Sequence, residues 1–153
     1  MKFKAVVAAT VLAAMGAGAM GAGAVVAADE PQVVRQEMMK KVGGAMGALA
    51  GIAKGEKPYD AEVVKTALTT IDQVSQTFPD YFPAGSETGH DTEASPKIWE
   101  HMAEFKEKSH TLSKETETAL ASLPTDPAAV GAALGPIGKS CGGCHETFRV
   151  KKN

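Results

Sequence analysis

The stretch that decides the fold covers residues 126–148 and reads DPAAVGAALGPIGKSCGGCHETF. Asp126 followed by Pro127 is a typical helix start, because aspartate can cap free backbone N–H groups and proline tolerates the first helical position. Apolar side chains then recur every three or four residues as far as Phe148. The stretch therefore predicts an amphipathic helix whose last turns carry residues 141–145, Cys-Gly-Gly-Cys-His.

Residues 141–145 have the C-x-x-C-H spacing of covalent c-type haem attachment. The thiols of Cys141 and Cys144 can add to the two vinyl groups of one haem, and the adjacent imidazole of His145 can bind the iron axially. The chain has only these two cysteines, which is enough for a single haem. The motif predicts one covalent haem c per chain.

Other readings of the motif fit the sequence less well. A redox-active C-x-x-C belongs to a βαβ unit, and no strand pattern precedes Cys141. Structural zinc takes four Cys or His ligands, whereas Cys141, Cys144 and His145 supply three. A disulfide between the two cysteines would close a strained loop and leave His145 unexplained. The remaining alternative is a helical bundle without a cofactor, in which the motif is accidental.

The first 28 residues are typical of a secretory signal. Two lysines precede an uncharged run, residues 5–26, that consists mainly of alanine and glycine. Small residues before Asp29 favour cleavage after Ala28. An uncleaved membrane anchor is the alternative, since the run is about long enough to span a bilayer. Cleavage would leave residues 29–153 as one domain in the periplasm, where bacteria attach haem c.

Three further apolar stripes with helical spacing precede the quoted stretch. They cover residues 34–52, 64–78 and 98–123. Asp60 is the predicted N-cap of the second helix, and residues 95–96, Ser-Pro, start the third. Pro136 predicts a bend or a delayed start in the fourth helix. Connections are short apart from residues 79–95, which predicts an all-α, antiparallel up-down-up-down four-helix bundle with covalently attached haem c.

The chain resembles the class II cytochromes c, the cytochrome c′ family with its low-spin members. The C-terminal position of the haem motif, together with Glu-Thr-Phe-Arg at residues 146–149, carries most of the resemblance. Residues 54–60, 82–85 and 96–99 add further matches. The resemblance extends over nearly all of residues 29–153 and implies the same bundle and the same single haem c.

The resemblance also implies roles for individual residues. His145 would be the proximal ligand of the iron, with Arg149 near the proximal face. Arg35 and Gln36 would lie near the haem propionates, and Met39 would lie over the distal face of the iron.

The long loop is implied to approach the haem as well. In the family this loop lies against the haem edge, and Thr88 and Asp91 occupy the corresponding places in this chain. His90, between them, is expected to be exposed to solvent.

The function depends on the sixth coordination position of the iron. If the sulfur of Met39 is the sixth ligand, the haem is low-spin and the protein is an electron carrier with a raised reduction potential. If Met39 only packs over the iron, the open position could bind a small neutral gas such as NO or CO. Electron transfer with redox partner proteins is favoured, because it is compatible with either state, and gas binding is the alternative.

Other classes of function are not indicated. The net charge is −2 and no dense basic patch is present, so a nucleic-acid partner is not expected. Both cysteines are used by the haem and no hydrolytic constellation is evident, so the chain is not expected to be an enzyme. A homodimer through the first two helices is a further candidate, because Gly43, Gly44, Gly47 and Ala48 could permit close packing.

Overall fold

The structure is a computed structural model that describes residues 30–151; the predicted signal segment, residues 1–28, lies outside them. The described residues form five helices. These are α1 (Pro31–Ala53), α2 (Ala61–Thr77), α3 (Lys97–Glu100), α4 (Met102–Ala121) and α5 (Pro127–Phe148). A short 3₁₀ helix, Phe78–Tyr81, follows α2 directly. Within residues 30–151, no helix combines the length and the apolar character that a membrane span requires.

The four long helices form the bundle that the sequence predicts. Helix α1 packs against α2 and α5, and α4 packs against the same two helices. The cyclic order is therefore α1, α2, α4, α5, with each long helix beside the one that follows it in the chain. The prediction of an all-α, antiparallel up-down-up-down four-helix bundle is confirmed.

Two predicted N-caps set the starts of α2 and α5. The Asp60 carboxylate accepts hydrogen bonds from the backbone N–H groups of Glu62 and Val63, at 2.8 and 3.2 Å. The Asp126 carboxylate accepts from the N–H of Ala129 at 2.8 Å. Each cap satisfies donors that the first helical turn leaves free and contributes about 1 kcal/mol to stability.

The prediction of one uninterrupted third helix is wrong, because the helix breaks at His101. This residue has φ −128° and ψ 44° and separates α3 from α4. The residues on the two sides of the break share one apolar cluster. Ile98 of α3 and Phe105 of α4 belong to it, and Trp99 and Met102 pack against it.

The helix α5 continues through Pro136, so the delayed start that the proline predicts does not occur. The helix is assigned without interruption from Pro127 to Phe148, although Pro136 lacks the N–H that would complete its turn. Pro136 is exposed on the outside of the bundle.

The core consists of two clusters that meet near the C-terminal end of α5. The main cluster joins α1, α2 and α5; its largest fully buried side chains are Leu49, Ile52, Leu68, Ile71 and Ile137. The second, called here the aromatic cluster, is formed by Phe82, Ile98, Phe105 and Phe148, all less than 7% exposed. The aromatic cluster lies where the long loop meets the end of α5.

Candidate haem site

The two cysteines of the motif lie on one side of α5 and border the two core clusters. Residues three apart in a helix are neighbours on its surface, so both thiols face the same region. Cys141 is half-buried and packs against the main cluster, whereas Cys144 is half-buried and packs against the aromatic cluster. A flat ring bonded to both sulfurs would therefore lie along the junction of the two clusters.

Both thiols are held in their protonated form. Burial raises the pKa of Cys141 and raises the pKa of Cys144 to about 11, against a smaller opposing effect of the Lys108 charge. A redox-active dithiol needs a lowered thiol pKa, which this environment does not provide. Within residues 30–151, no three His, Cys, Asp or Glu side chains are grouped as a metal ion would require. The raised thiol pKa values favour thioether formation over a redox dithiol, and the donor set is too small for a structural zinc site.

His145 is exposed at the end of α5, with its imidazole free to bind. Partial loss of solvent lowers the pKa of His145, the Arg149 charge lowers it further, and the Glu93 carboxylate raises it. The net shift favours the neutral imidazole, which is the form that binds iron. His145 is thus suited chemically to the axial role that the motif predicts.

Arg35 is a buried charge on α1, only 4% exposed, and the long loop wraps around it. One terminal nitrogen donates to the carbonyl of Tyr81 at 3.0 Å and to Oγ of Ser86 at 2.9 Å. The other donates to the Ser86 carbonyl at 2.9 Å and to Oγ1 of Thr92 at 3.4 Å. A buried guanidinium needs such partners, because its desolvation is otherwise costly.

Two neighbours on α1 hold the same loop. The side-chain amide of Gln32 donates to the carbonyl of Thr88 at 2.7 Å, and that of Gln36 donates to the carbonyl of His90 at 2.6 Å. Asp91 follows on the loop with φ 53° in the left-handed region. The structure therefore brings the predicted residues Arg35, Gln36, Thr88 and Asp91 to one end of the bundle, and His90 is exposed as expected.

The same end of the bundle offers hydrogen-bonding capacity that fits a haem. Nε of Arg35 and Oε1 of Gln32 are buried and have no hydrogen-bond partner among the described residues. Buried polar atoms without partners are rare in native proteins and call for an explanation. A propionate of the haem would be a suitable anionic acceptor for the Nε–H of Arg35. The residues present thus fit the group that the motif predicts.

Met39 lies on α1, half-buried, and packs against the main cluster. Cys141 packs against the same cluster, so the two predicted site residues from α1 and α5 border one apolar region. Met46, seven residues further along α1, also packs there.

Sequence reasoning missed the contribution of Phe82 and Ser86, although it expected the loop itself to approach the haem. The ring centroid of Phe82 lies 4.7 Å from that of Phe105, which lies 5.3 Å from that of Phe148. Ser86, also on the loop, is buried beneath Arg35. Phe82 and Ser86 lie outside any helix, where periodicity gives no signal; only the short match at residues 82–85 marked the segment.

A groove between α4 and α5 leads from solvent to Cys144. Its volume is about 590 Å³. Its lining combines acidic and basic side chains from α4 with Lys139 and Ser140 of α5. The groove gives the second cysteine of the motif a direct connection to the surface.

The comparison with protein families identifies the family of this chain. The family model "Cytochrome C'" matches residues 30–149. The chain belongs to the cytochrome c′ family. Cytochrome c-556 of Agrobacterium fabrum is 52% identical over 143 residues, covering 94% of this chain and 96% of that protein. As in the rest of this family, the cofactor is one covalent haem c per chain, and the protein is a haem c cytochrome.

Solved structures agree with this assignment. Cytochrome c′ from Rhodopseudomonas palustris superimposes with a TM-score of 0.77 at 35% identity, covering 82% of this chain and all of that one. The structure of oxidised cytochrome c556 from R. palustris gives a TM-score of 0.74 at 35% identity, with coverage of 82% and 100%. The chain is thus similar to family members of both names.

Proposed function

We propose that this protein is an electron-transfer cytochrome whose haem is bonded to Cys141 and Cys144, with His145 as the axial iron ligand. The observation that carries the proposal is the arrangement on α5. Two half-buried, protonated thiols border the two core clusters, and the imidazole follows directly. This arrangement suits two thioether bonds and one axial bond to the same ring.

The bound haem supplies a one-electron iron couple, and the chain controls its surroundings. The main cluster keeps water from the Met39 side of the site, and the aromatic cluster packs against the inner side of Cys144. Helix α1 and the loop hold Arg35 where its free Nε–H can donate to a propionate. Arg149 would act near the proximal face, and Thr88 and Asp91 near the haem edge.

We propose the sulfur of Met39 as the sixth iron ligand. The support is its position on α1, on the same cluster as Cys141 and facing the bundle interior. A methionine thioether stabilises the reduced iron and raises the reduction potential, as an electron carrier requires.

Binding of NO or CO is the second candidate function. The apolar packing around Met39 favours it if the sulfur stays off the iron, because an apolar region excludes anions and admits small neutral gases. Relatives named cytochrome c-556 and relatives named cytochrome c′ both match the chain.

Optical spectra with and without CO separate the two functions. For the electron carrier, the reduced protein shows a sharp, split pair of visible bands that CO leaves unchanged. The Met39→Ala variant should then give a high-spin spectrum that changes when CO is added. Met46→Ala is the matched control, since it removes a methionine from the same cluster and should keep the low-spin spectrum. A wild-type protein that binds CO readily would favour the gas-binding function instead.

We also propose that the protein acts in the periplasm, with redox proteins as its partners and no enzymatic activity of its own. The support is the signal-like segment of residues 1–28, because haem c is attached after export. N-terminal sequencing of the exported protein should start at Asp29. A start at Met1 would contradict the cleavage.

A homodimer through α1 and α2 is proposed as the assembly. Gly43, Gly44 and Gly47 are exposed in the middle of α1, and a Cβ atom at any of them would meet nothing within 4 Å. Glycine in a helix interior costs roughly 0.5–1 kcal/mol relative to alanine. Within residues 30–151, no contact requires glycine at these three positions. Close packing of a second copy against α1 would require it.

A further inference from the structure

An ion pair joins the long loop to the end of α5 beside the proposed axial ligand. Nε of Arg149 donates to Oε2 of Glu93 at 2.6 Å. The backbone N–H of Arg149 donates to the carbonyl of His145 at 3.3 Å, which places the arginine one helical turn beyond the histidine. The pair therefore lies beside the residue that connects the chain to the iron.

The loop is held at this place by backbone bonds that do not involve the ion pair. The N–H of Ser95 donates to the carbonyl of Phe148 at 3.0 Å. The N–H of Val150 donates to the carbonyl of Glu93 at 2.8 Å. Since the backbone already fixes the position of Glu93, its carboxylate is not needed to dock the loop.

Both charges of the pair lie close to His145. Arg149 is one helical turn beyond the histidine, and the Glu93 carboxylate is bound to the Arg149 guanidinium at 2.6 Å. The two side chains are only half exposed, at 51% and 38%, so solvent screens them incompletely. A group bound to the far nitrogen of the imidazole would lie in the same local field.

We propose that Glu93 is a positioning residue that holds and neutralises Arg149 beside the proximal ligand and thereby sets the reduction potential of the haem. The inference rests on the proposed electron-transfer function. In that function one electron from a partner protein converts Fe(III) into Fe(II), and no bond is formed or broken. Reduction removes one positive charge from the iron, so a neighbouring cation without its carboxylate favours the reduced state.

Redox titration of four haem-loaded variants tests the proposal. Glu93→Gln should raise the midpoint potential, because Arg149 is left unpaired. Arg149→Gln should lower the potential, because the carboxylate is left unpaired. The double variant should return close to the wild-type potential, and both single shifts should shrink as salt is added.

Glu56→Gln is the matched control for the charge change. Glu56 is exposed just beyond α1, at the end of the bundle opposite to Arg35. The part of α1 from Arg35 to its end at Ala53 is about 27 Å long at 1.5 Å per residue, which is more than two Debye lengths at about 0.1 M salt. The midpoint potential of Glu56→Gln should equal that of the wild type.

A Glu93→Gln protein with a wild-type spectrum and a wild-type potential would overturn the proposal. If that variant cannot be obtained with haem, Arg149→Gln tests the same pair, and an unchanged potential there would overturn the proposal equally. A wild-type protein with no reversible one-electron couple would contradict the electron-transfer function itself, and the role of Glu93 with it.

Discussion

The guanidinium carbon of Arg35 lies 4.5 Å from the centre of the Phe82 ring. This contact joins α1 to the aromatic cluster, because Phe82 belongs to the loop and packs on Phe105 of α4. A cation over an aromatic face is stabilised by the ring quadrupole, and more so when solvent is excluded. Arg35 is thus both the centre of the loop's hydrogen bonds and a packing element of the site.

Replacing Arg35 should destabilise the haem-loaded protein strongly. Arg35→Met removes the donors for Tyr81 and Ser86, and hydrogen bonds to a charged group contribute about 1.5–3 kcal/mol each. We expect the free energy of unfolding to fall by roughly 2–4 kcal/mol, measured by urea denaturation. Arg35→Lys should recover only part of the loss, because lysine lacks the planar fork.

Lys40→Met is the control for Arg35→Met. Lys40 is an exposed residue of α1 whose side chain pairs with Glu37 on the helix surface. Exposed pairs of this kind contribute about 0–1 kcal/mol. A loss of stability as large in Lys40→Met as in Arg35→Met would contradict the role assigned to Arg35.

The Cys144 thiol should be unreactive in the folded, haem-free chain until high pH. Burial raises the pKa of Cys144 to about 11 from an ordinary value of 9.0, so the reactive thiolate is scarce at neutral pH. In a Cys141→Ser background, alkylation should reach half its maximal rate near pH 11. In urea, the midpoint should move down towards pH 9.0.

Equal alkylation profiles with and without urea would contradict the burial of Cys144. The raised pKa of Cys144 also makes stability depend on pH. Because the folded state holds its proton more tightly than the unfolded one, this thiol stabilises the haem-free fold below about pH 9, and the contribution is lost as the pH rises towards 11. A thioether sulfur does not titrate, so the haem-loaded protein should lack this effect.

The proposed dimer predicts a selective effect of charge on the α1 face. Gly47→Glu should convert the dimer into a monomer in sedimentation equilibrium without loss of fold, because a Cβ atom at residue 47 meets nothing within 4 Å among residues 30–151. Gly135→Glu places the same charge on exposed α5, where a Cβ also meets nothing, and should leave the dimer intact. A wild-type monomer, or a dimer that survives Gly47→Glu, would contradict the assembly.

The helices could be predicted because their signals are local. Asp60 and Asp126 cap the turns that follow them, and apolar spacing identified the buried faces. The break at His101 could not be predicted, since Trp99 before it and Phe105 after it both pack on Phe82, which is distant in sequence. Tertiary contacts of this kind leave no trace in the spacing of neighbouring residues.

The site could be predicted in part for a similar reason. Cys141, Cys144 and His145 are adjacent in sequence, so the motif alone points to their chemistry. The burial of Arg35 depends on a loop about 50 residues away, and the Glu93–Arg149 pair joins residues 56 apart. Only the fold brings such partners together.

The central claim, covalent haem on Cys141 and Cys144, is tested most directly by the intact mass of the purified protein under denaturing conditions. The protein should be made in a host that attaches haem c. We expect the mass of the polypeptide plus one haem, which resists acid–acetone extraction in the wild type and is lost when both cysteines are changed to alanine. A wild-type chain at the mass of the bare polypeptide, or a haem that the solvent extracts, would contradict the account.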